Sequence, residues 1–163
     1  MPEHIWSVLC YKGCVDQYTN QVSLLDVIEG IRIQPIREPP QISKVLAMPF
    51  PLHLVSSWIR SQLDIPERIQ IRAAVIAPDG SEVHQKPWLD GDLESKPRLR
   101  SLIRFPSMPY RGPGLYRFAV EYRNSDDQSW QRVASVPMEL DLAVPEARSK
   151  LKDRKTRGKS HSK

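Results

Sequence analysis

The sequence contains little of what several common protein classes require. Its two cysteines are too few for a disulfide-rich secreted scaffold, and its seven glycines argue against a glycine-rich nucleotide-binding fold. No apolar run approaches the roughly 20 residues that a membrane-spanning helix needs. The first residues also lack the charged and then apolar pattern of a signal peptide. We therefore expect a cytoplasmic protein without a membrane partner.

The residues that are present favour strands over helices. Fifteen prolines argue against a helical bundle, and apolar side chains recur at every second position, most clearly at Tyr116, Phe118, Val120 and Tyr122. Turn residues separate about eight such segments. These predicted strands cover residues 4–15, 21–34, 52–60, 69–76, 82–85, 99–105, 116–122 and 130–136.

Three stretches between or within these strands need separate interpretation. Residues 21–34 do not keep one alternation, which indicates a bulge at Glu29 and Gly30, and a helix over 24–31 is the alternative. The five prolines of residues 35–51 exclude a central strand and indicate an extended connection between sheets. Residues 86–96 are predicted to form a polar loop around Trp88.

Together these patterns predict an all-β protein, an antiparallel β-sandwich of the immunoglobulin-like type. Val15-Asp16 before Val22-Ser23-Leu24-Leu25, the turn Ala77-Pro78-Asp79-Gly80, and the segment from Gly112 to Phe118 resemble a family of small uncharacterised bacterial β-sandwich proteins. The resemblance covers residues 4–140. It implies the fold and gives no reaction, cofactor or site residue.

The net charge of +5 is concentrated at the C-terminal end. Residues 146–163 hold eight cations and two anions, whereas residues 1–145 hold 16 cations and 17 anions. Since Leu151 is the one large apolar residue of residues 146–163, we expect a flexible cationic tail there, and a short helix after Pro145 is the alternative. The β-sandwich domain is assigned to residues 1–145.

No recognisable catalytic or metal-binding motif is present. Cys10 and Cys14 are interpreted as buried structural thiols, since two residues four apart on a strand lie too far apart to share a zinc ion or a disulfide, and a zinc site or a reactive thiol is the alternative. The histidines at positions 4, 53 and 84 and the aspartates at 16, 26 and 90 are interpreted as surface and turn residues, with Asp16 accepting backbone hydrogen bonds in a hairpin turn. No cofactor, no metal and no enzymatic activity are expected.

The remaining candidates are residues that bind a partner. Trp58 and Trp130 are predicted to lie in the core and Trp88 to be exposed. The sequence therefore predicts a non-catalytic binding or adaptor module whose tail contacts an anionic partner, either nucleic acid or an acidic protein. The alternative is a nucleic-acid-binding sandwich that uses an arginine-rich strand, and the third interpretation is a small hydrolase. The predicted partner-binding residues are Trp88, Arg98, Arg100, Arg104, Lys150, Lys152, Arg154, Lys155, Arg157 and Lys159.

Overall fold

The computed structural model of the chain describes residues 2–16, 18–34, 46–62, 64–85, 88–124 and 129–143. These residues form twelve strands and no helix. In chain order the strands are β1 (Glu3–Val15), β2 (Val22–Val27), β3 (Gly30–Ile33), β4 (Leu46–Met48), β5 (Leu52–Ile59), β6 (Arg68–Ile76), β7 (Glu82–Gln85), β8 (Leu89–Asp92), β9 (Arg98–Phe105), β10 (Met108–Tyr110), β11 (Gly114–Asn124) and β12 (Gln131–Leu142). The predicted all-β class is confirmed.

The strands form two main sheets and one short strand pair. The four-stranded sheet has the order β2-β1-β5-β9, and the six-stranded sheet has the order β3-β12-β11-β6-β7, with β8 pairing to the same strand β6 further along. Strands β4 and β10 pair with each other. All pairs are antiparallel except β3 with β12, which is parallel. The predicted purely antiparallel arrangement is therefore wrong at this edge.

Side chains of the two main sheets meet in one hydrophobic core. Trp58 of β5 contacts Tyr122 of β11 with ring centroids 5.6 Å apart, and Phe105 of β9 contacts Phe118 of β11 at 5.3 Å. Both ring pairs are edge-on, a geometry that adds about 0.5–1.5 kcal/mol each beyond area burial. The buried indole N–H of Trp58 donates to Ser101 Oγ at 3.1 Å. Trp58 thus lies in the core, as predicted.

The turns follow the chemistry expected from the sequence. Asp16 Oδ1 accepts the backbone N–H groups of Tyr18 at 2.9 Å and of Thr19 at 2.7 Å, which closes the β1–β2 hairpin. Asp79 Oδ1 accepts the Ser81 N–H at 3.0 Å, and Gly80 takes the positive φ of 83° that the β6–β7 turn requires.

The described residues form four more strands than the eight that the sequence predicts. The predicted strand over 21–34 is divided at Ile28 and Glu29, where the chain passes from the four-stranded to the six-stranded sheet. This passage replaces the predicted bulge, and residues 24–31 contain the end of β2 and the start of β3 rather than the alternative helix. The predicted loop over 86–96 is wrong in part, since it contains β8. The three-residue strands β4 and β10 are too short to show alternation.

No helix in the part of the chain that the structure describes is long and apolar enough to cross a membrane. Residues 35–45 and the predicted tail, residues 146–163, lie outside the described residues, and so do all six tail cations named above.

Candidate functional site

The arginines of β9 lie on the outer face of the four-stranded sheet, the face turned away from the core. Arg98, Arg100 and Arg104 alternate with Ser101, Ile103 and Phe105, which are buried on the inner side. Strand β9 forms one edge of this sheet. The prediction that these arginines share one outer strand face is therefore confirmed.

Arg100 is the most firmly held of the three arginines. Its guanidinium carbon lies 5.6 Å from the centre of the Trp6 ring, and its Nη1 donates to Ser57 Oγ and to the Leu99 carbonyl. Because Arg100 is half-buried between these groups, it presents a positioned positive charge rather than a freely moving one.

The same outer face carries a groove, because β1 crosses over it. Beyond Cys10, strand β1 pairs with β2 and no longer with β5. Gly13 then lies directly on the outer side chains of Val55 and Leu102, where an added Cβ would come within 2.8 Å of Val55 Cγ2. The Gly13 N–H donates to His53 Nδ1 at 2.9 Å, which fastens the crossing segment to β5.

This groove has a volume of about 830 Å³, within the usual range of ligand-binding clefts of about 300–1,000 Å³. The charged residues that line it are Lys12 and Arg104, both cations, and Tyr11 lines it with 49% of its surface exposed. Its lining is formed by Tyr11, Lys12, Gly13, Cys14, Val15, Pro51, His53, Leu102 and Arg104. The arrangement presents positive charge beside an aromatic ring.

The two cysteines differ in exposure. Cys10 is buried, and burial raises the pKa of its thiol, whereas Cys14 is exposed in the groove. The prediction of two buried thiols is therefore wrong for Cys14. The reason is that β1 lies between β2 and β5 at Cys10, whereas at Cys14 it pairs with β2 alone, through Ser23, and no longer with β5. Within the described ranges, no group of three or more potential ligands could hold a metal ion.

The histidines considered for acid–base catalysis contact a hydroxyl group, a backbone N–H and an aromatic ring. His4 Nε2 lies 2.7 Å from Ser7 Oγ, which in turn meets Ser56 Oγ at 2.7 Å, and burial lowers the pKa of His4. His53 holds the Gly13 backbone, and the His84 ring packs against Phe105 at 5.8 Å. These contacts serve strand packing.

Trp88 lies on the opposite side of the molecule, on the outer face of the six-stranded sheet. It is 54% exposed, as predicted, and precedes β8 directly. The guanidinium carbon of Arg123 lies 5.6 Å from its ring centre. The structure thus does not bring Trp88 together with the arginines of β9.

Trp130 is only partly buried and also lies on this outer face, so its predicted place in the core is wrong. Its ring is covered by two guanidinium groups instead, with Arg72 at 4.1 Å and Arg123 at 4.7 Å from the ring centre. We call Trp88, Arg123, Trp130 and Arg72 the tryptophan platform.

A buried carboxylate holds the platform in place. Glu121 is 8% exposed, accepts Arg72 at 2.8 Å and 2.9 Å through one oxygen, and accepts Arg132 at 3.1 Å through the other. Such a carboxylate is stable at low exposure only when it is paired, and here both oxygens are. Arg72 and Glu121 face each other in the register of β6 and β11.

Sequence reasoning did not find the platform arginines or the groove residues Tyr11 and Lys12. Arg72 stands at an outward position of a predicted strand and Arg123 lies one residue beyond the predicted strand 116–122, but only the pairing of β6 with β11 brings them to one place. Strand alternation was the available signal. It shows that such residues point outward, but it does not show which residues of the paired strand lie beside them.

Comparison with known proteins gives structural likenesses only. No family model matches the sequence, and no curated protein matches it. The C-terminal domain of Wzt is 9% identical with a TM-score of 0.45, over 88% of this chain and 75% of that one. A β-glucosidase from Listeria innocua is 14% identical with a TM-score of 0.39, over 69% and 14%. The N-terminal domain of PorA is 10% identical with a TM-score of 0.25, over 84% and 97%. At these scores the likenesses assign neither a family nor a function.

Proposed function

We propose that this chain is a non-catalytic, cytoplasmic binding module of the immunoglobulin-like β-sandwich type, which binds an anionic partner through its cationic tail and the groove of the four-stranded sheet. The resemblance to small bacterial β-sandwich proteins belongs to the same proposal. The partner is an acidic protein or a nucleic acid.

The immunoglobulin-like assignment is supported by a tyrosine near the start of β11. Tyr116 is fully buried, its O–H donates to the Gly112 carbonyl at 2.8 Å, and its oxygen accepts the Arg111 N–H at 2.7 Å. A tyrosine that bonds back to the backbone a few residues upstream is the tyrosine corner of such sandwiches. The buried Trp58 on β5 is a second shared feature.

The single observation that carries the binding proposal is the charge of the groove. Lys12 and Arg104 are the charged residues of its lining, and Arg98 and Arg100 extend the same outer face along β9. A cleft lined by one sign of charge raises the local concentration of the opposite ion and its rate of association. The tail, with six more cations than anions, adds a tethered charge of the same sign.

The alternative is a nucleic-acid-binding sandwich in which the arginine-rich face of β9, and not the tail, is the main binding surface, and the spacing of the β9 arginines favours it. Arg98, Arg100 and Arg104 lie along one strand face, and Tyr11 in the groove offers an exposed ring for base stacking. Phosphate contacts from such residues would give affinity with little sequence preference.

The test compares the full chain, a chain lacking residues 146–163, and the double variant Lys12→Ala, Arg104→Ala. Each is titrated with a 20-base-pair DNA duplex and with poly-glutamate at several salt concentrations. If four to six tail cations engage the duplex, the log–log salt slope should be about −4 to −5, and tail removal should abolish most of the affinity. The groove variant should bind more weakly than Arg32→Ala, whose exposed arginine lies on β3 in the other sheet.

Two outcomes would overturn parts of the proposal. If the chain lacking residues 146–163 binds as well as the full chain, the tail is not part of the binding surface and only the groove remains as the proposed site. Binding of neither polyanion by the full chain at about 150 mM salt, where the Debye length is about 8 Å, refutes anionic recognition as a whole.

A further inference from the structure

The tryptophan platform has an ordered alternation of rings and cations. Arg123 lies between the two indoles, at 5.6 Å from Trp88 and 4.7 Å from Trp130, and Arg72 lies on Trp130 at 4.1 Å. Each ring–guanidinium contact restrains the ring orientation and contributes about 0.5–1 kcal/mol at an exposed site. Trp88 is thereby held in a defined orientation although it is 54% exposed.

A polar hollow lies beside the platform. It has a volume of about 390 Å³ and is lined by the first two residues of β6 and the last three of β8. Gln70 joins the two, because its side chain accepts Arg123 Nε at 2.8 Å and donates to Asp90 Oδ1 at 3.2 Å. The hollow lining comprises Arg68, Ile69, Asp90, Gly91 and Asp92. Platform and hollow therefore form one surface with both hydrogen-bond donors and acceptors.

The charges on this surface are balanced, unlike those of the groove. Arg68 pairs with Glu94 at 2.7 Å, and Glu121 pairs with both Arg72 and Arg132. Among the described residues, this end of the sheet carries guanidinium groups and carboxylates in comparable number, and they include Arg68, Arg72, Arg123, Arg132, Asp90, Asp92, Glu94 and Glu121. A polyanion gains no net attraction here and would meet these carboxylates.

We propose that the tryptophan platform and its hollow bind a neutral oligosaccharide. A sugar ring has an apolar C–H face that fits an exposed indole, and its edge carries hydroxyl groups that both donate and accept hydrogen bonds. Trp88 provides the indole, and the guanidinium, amide and carboxylate groups around Asp90 provide the partners. Because the surface is an open sheet face, it accommodates an extended chain of sugars rather than a single enclosed residue.

The proposal is tested on the full chain with a panel of neutral hexasaccharides, the gluco-, manno-, xylo- and N-acetylglucosamine series, by calorimetry and by quenching of tryptophan fluorescence. We expect at least one series to bind, and Trp88→Ala to weaken that binding by about tenfold or more. Tyr18→Ala is the matched control, since Tyr18 is 98% exposed in the β1–β2 turn. This control and the double variant Lys12→Ala, Arg104→Ala should bind the sugar as the unchanged chain does.

Three results would overturn the inference. They are absence of binding to every neutral series at millimolar concentration, equal loss in the Trp88 and Tyr18 variants, and Trp88-dependent binding to oligo(dT) or a uronic-acid polymer instead. Melting temperatures of both variants within about 2 °C of the unchanged chain show that any loss of binding is local. Salt dependence separates this site from the groove, because sugar binding should persist at 0.5 M salt, where exposed charges are strongly screened.

Discussion

Replacing Tyr116 by phenylalanine should destabilise the fold in a way that can be calculated from its two hydrogen bonds. The ring stays buried, but the hydroxyl that accepts the Arg111 N–H and donates to the Gly112 carbonyl is removed. Each such bond contributes about 0.5–1.5 kcal/mol to the free energy of unfolding, so the expected loss is about 1–3 kcal/mol. For a domain of this size that lowers the melting temperature by about 3–10 °C.

Tyr122→Phe provides a control with the same chemical change on the same strand. The Tyr122 hydroxyl donates to Gln131 Oε1 at 3.1 Å, and Gln131 is an exposed side chain that can bond to water instead. Its removal should cost about 1 kcal/mol or less. Urea unfolding of both variants measures the difference, provided that the slope of the free energy of unfolding against urea concentration is the same in both.

The reasoning is refuted if both variants lose the same stability, or if Tyr116→Phe loses none. No loss in Tyr116→Phe would mean that the Arg111 and Gly112 backbone groups bond to water equally well, and an equal loss would mean that the Tyr122 hydroxyl contributes as much as the Tyr116 hydroxyl. The first result would also remove the energetic role of the tyrosine corner, which is the main structural support for the proposed immunoglobulin-like assignment.

Three further predictions concern single residues. In native protein a thiol reagent should modify Cys14 and leave Cys10 unmodified until denaturant is added, because Cys14 is exposed and Cys10 is buried with a raised pKa; equal rates would contradict this. Hydrogen bonds from Thr19 lower the pKa of Asp16. The ionised carboxylate therefore stabilises the fold above about pH 4, and this stabilisation is lost as the pH falls through the lowered pKa. Asp16→Asn should make the melting temperature less dependent on acid pH, as measured by thermal unfolding at several pH values. Gly91→Ala should lower the free energy of unfolding, measured with urea, by about 1–3 kcal/mol, because a Cβ there would lie 2.6 Å from Leu99 Cδ2 and 2.8 Å from Ile69 Cγ1. Gly30→Ala should lower it less, because no atom would lie nearer than 3.4 Å to the added Cβ.

The strands that could be predicted from the sequence are those with one face in the core along their whole length. In β11 the residues Tyr116, Phe118, Val120 and Tyr122 are all buried, so the period of two is visible directly. Strand β8 could not be recognised in this way. Its inward residues are Leu89 and Gly91, and a glycine that packs closely against its neighbours gives no hydrophobic signal.

The passage between sheets at Ile28 and Glu29 shows a different limit. Local alternation reports which side of a strand is buried, but it does not report which sheet the strand joins. Here the Ile28 N–H bonds to the Leu9 carbonyl in one sheet, and the Glu29 carbonyl accepts the Glu139 N–H in the other, at 2.8 Å and 2.9 Å. Both partners are distant in sequence, so the irregular pattern could be noticed but not correctly interpreted.

The two candidate binding surfaces differ in how far the sequence could predict them. One needs only the outward side of a single strand, and the other needs the register between two paired strands. Alternation placed Arg98, Arg100 and Arg104 on one side of a single strand, and that local inference needed no partner strand. The tryptophan platform instead depends on the register that sets Arg72 opposite Glu121 and Gln70 opposite Arg123.

A tryptophan on a central strand of a sandwich is usually buried in the core, and on that ground the sequence predicts Trp130 to lie there. In this fold two guanidinium groups cover it, and they are themselves fixed by a carboxylate and an amide from the neighbouring strands. An aromatic residue next to a turn is therefore an ambiguous signal in a β-sheet protein. Outward arginines on the strands that will pair beside it decide whether it becomes core or part of a binding surface.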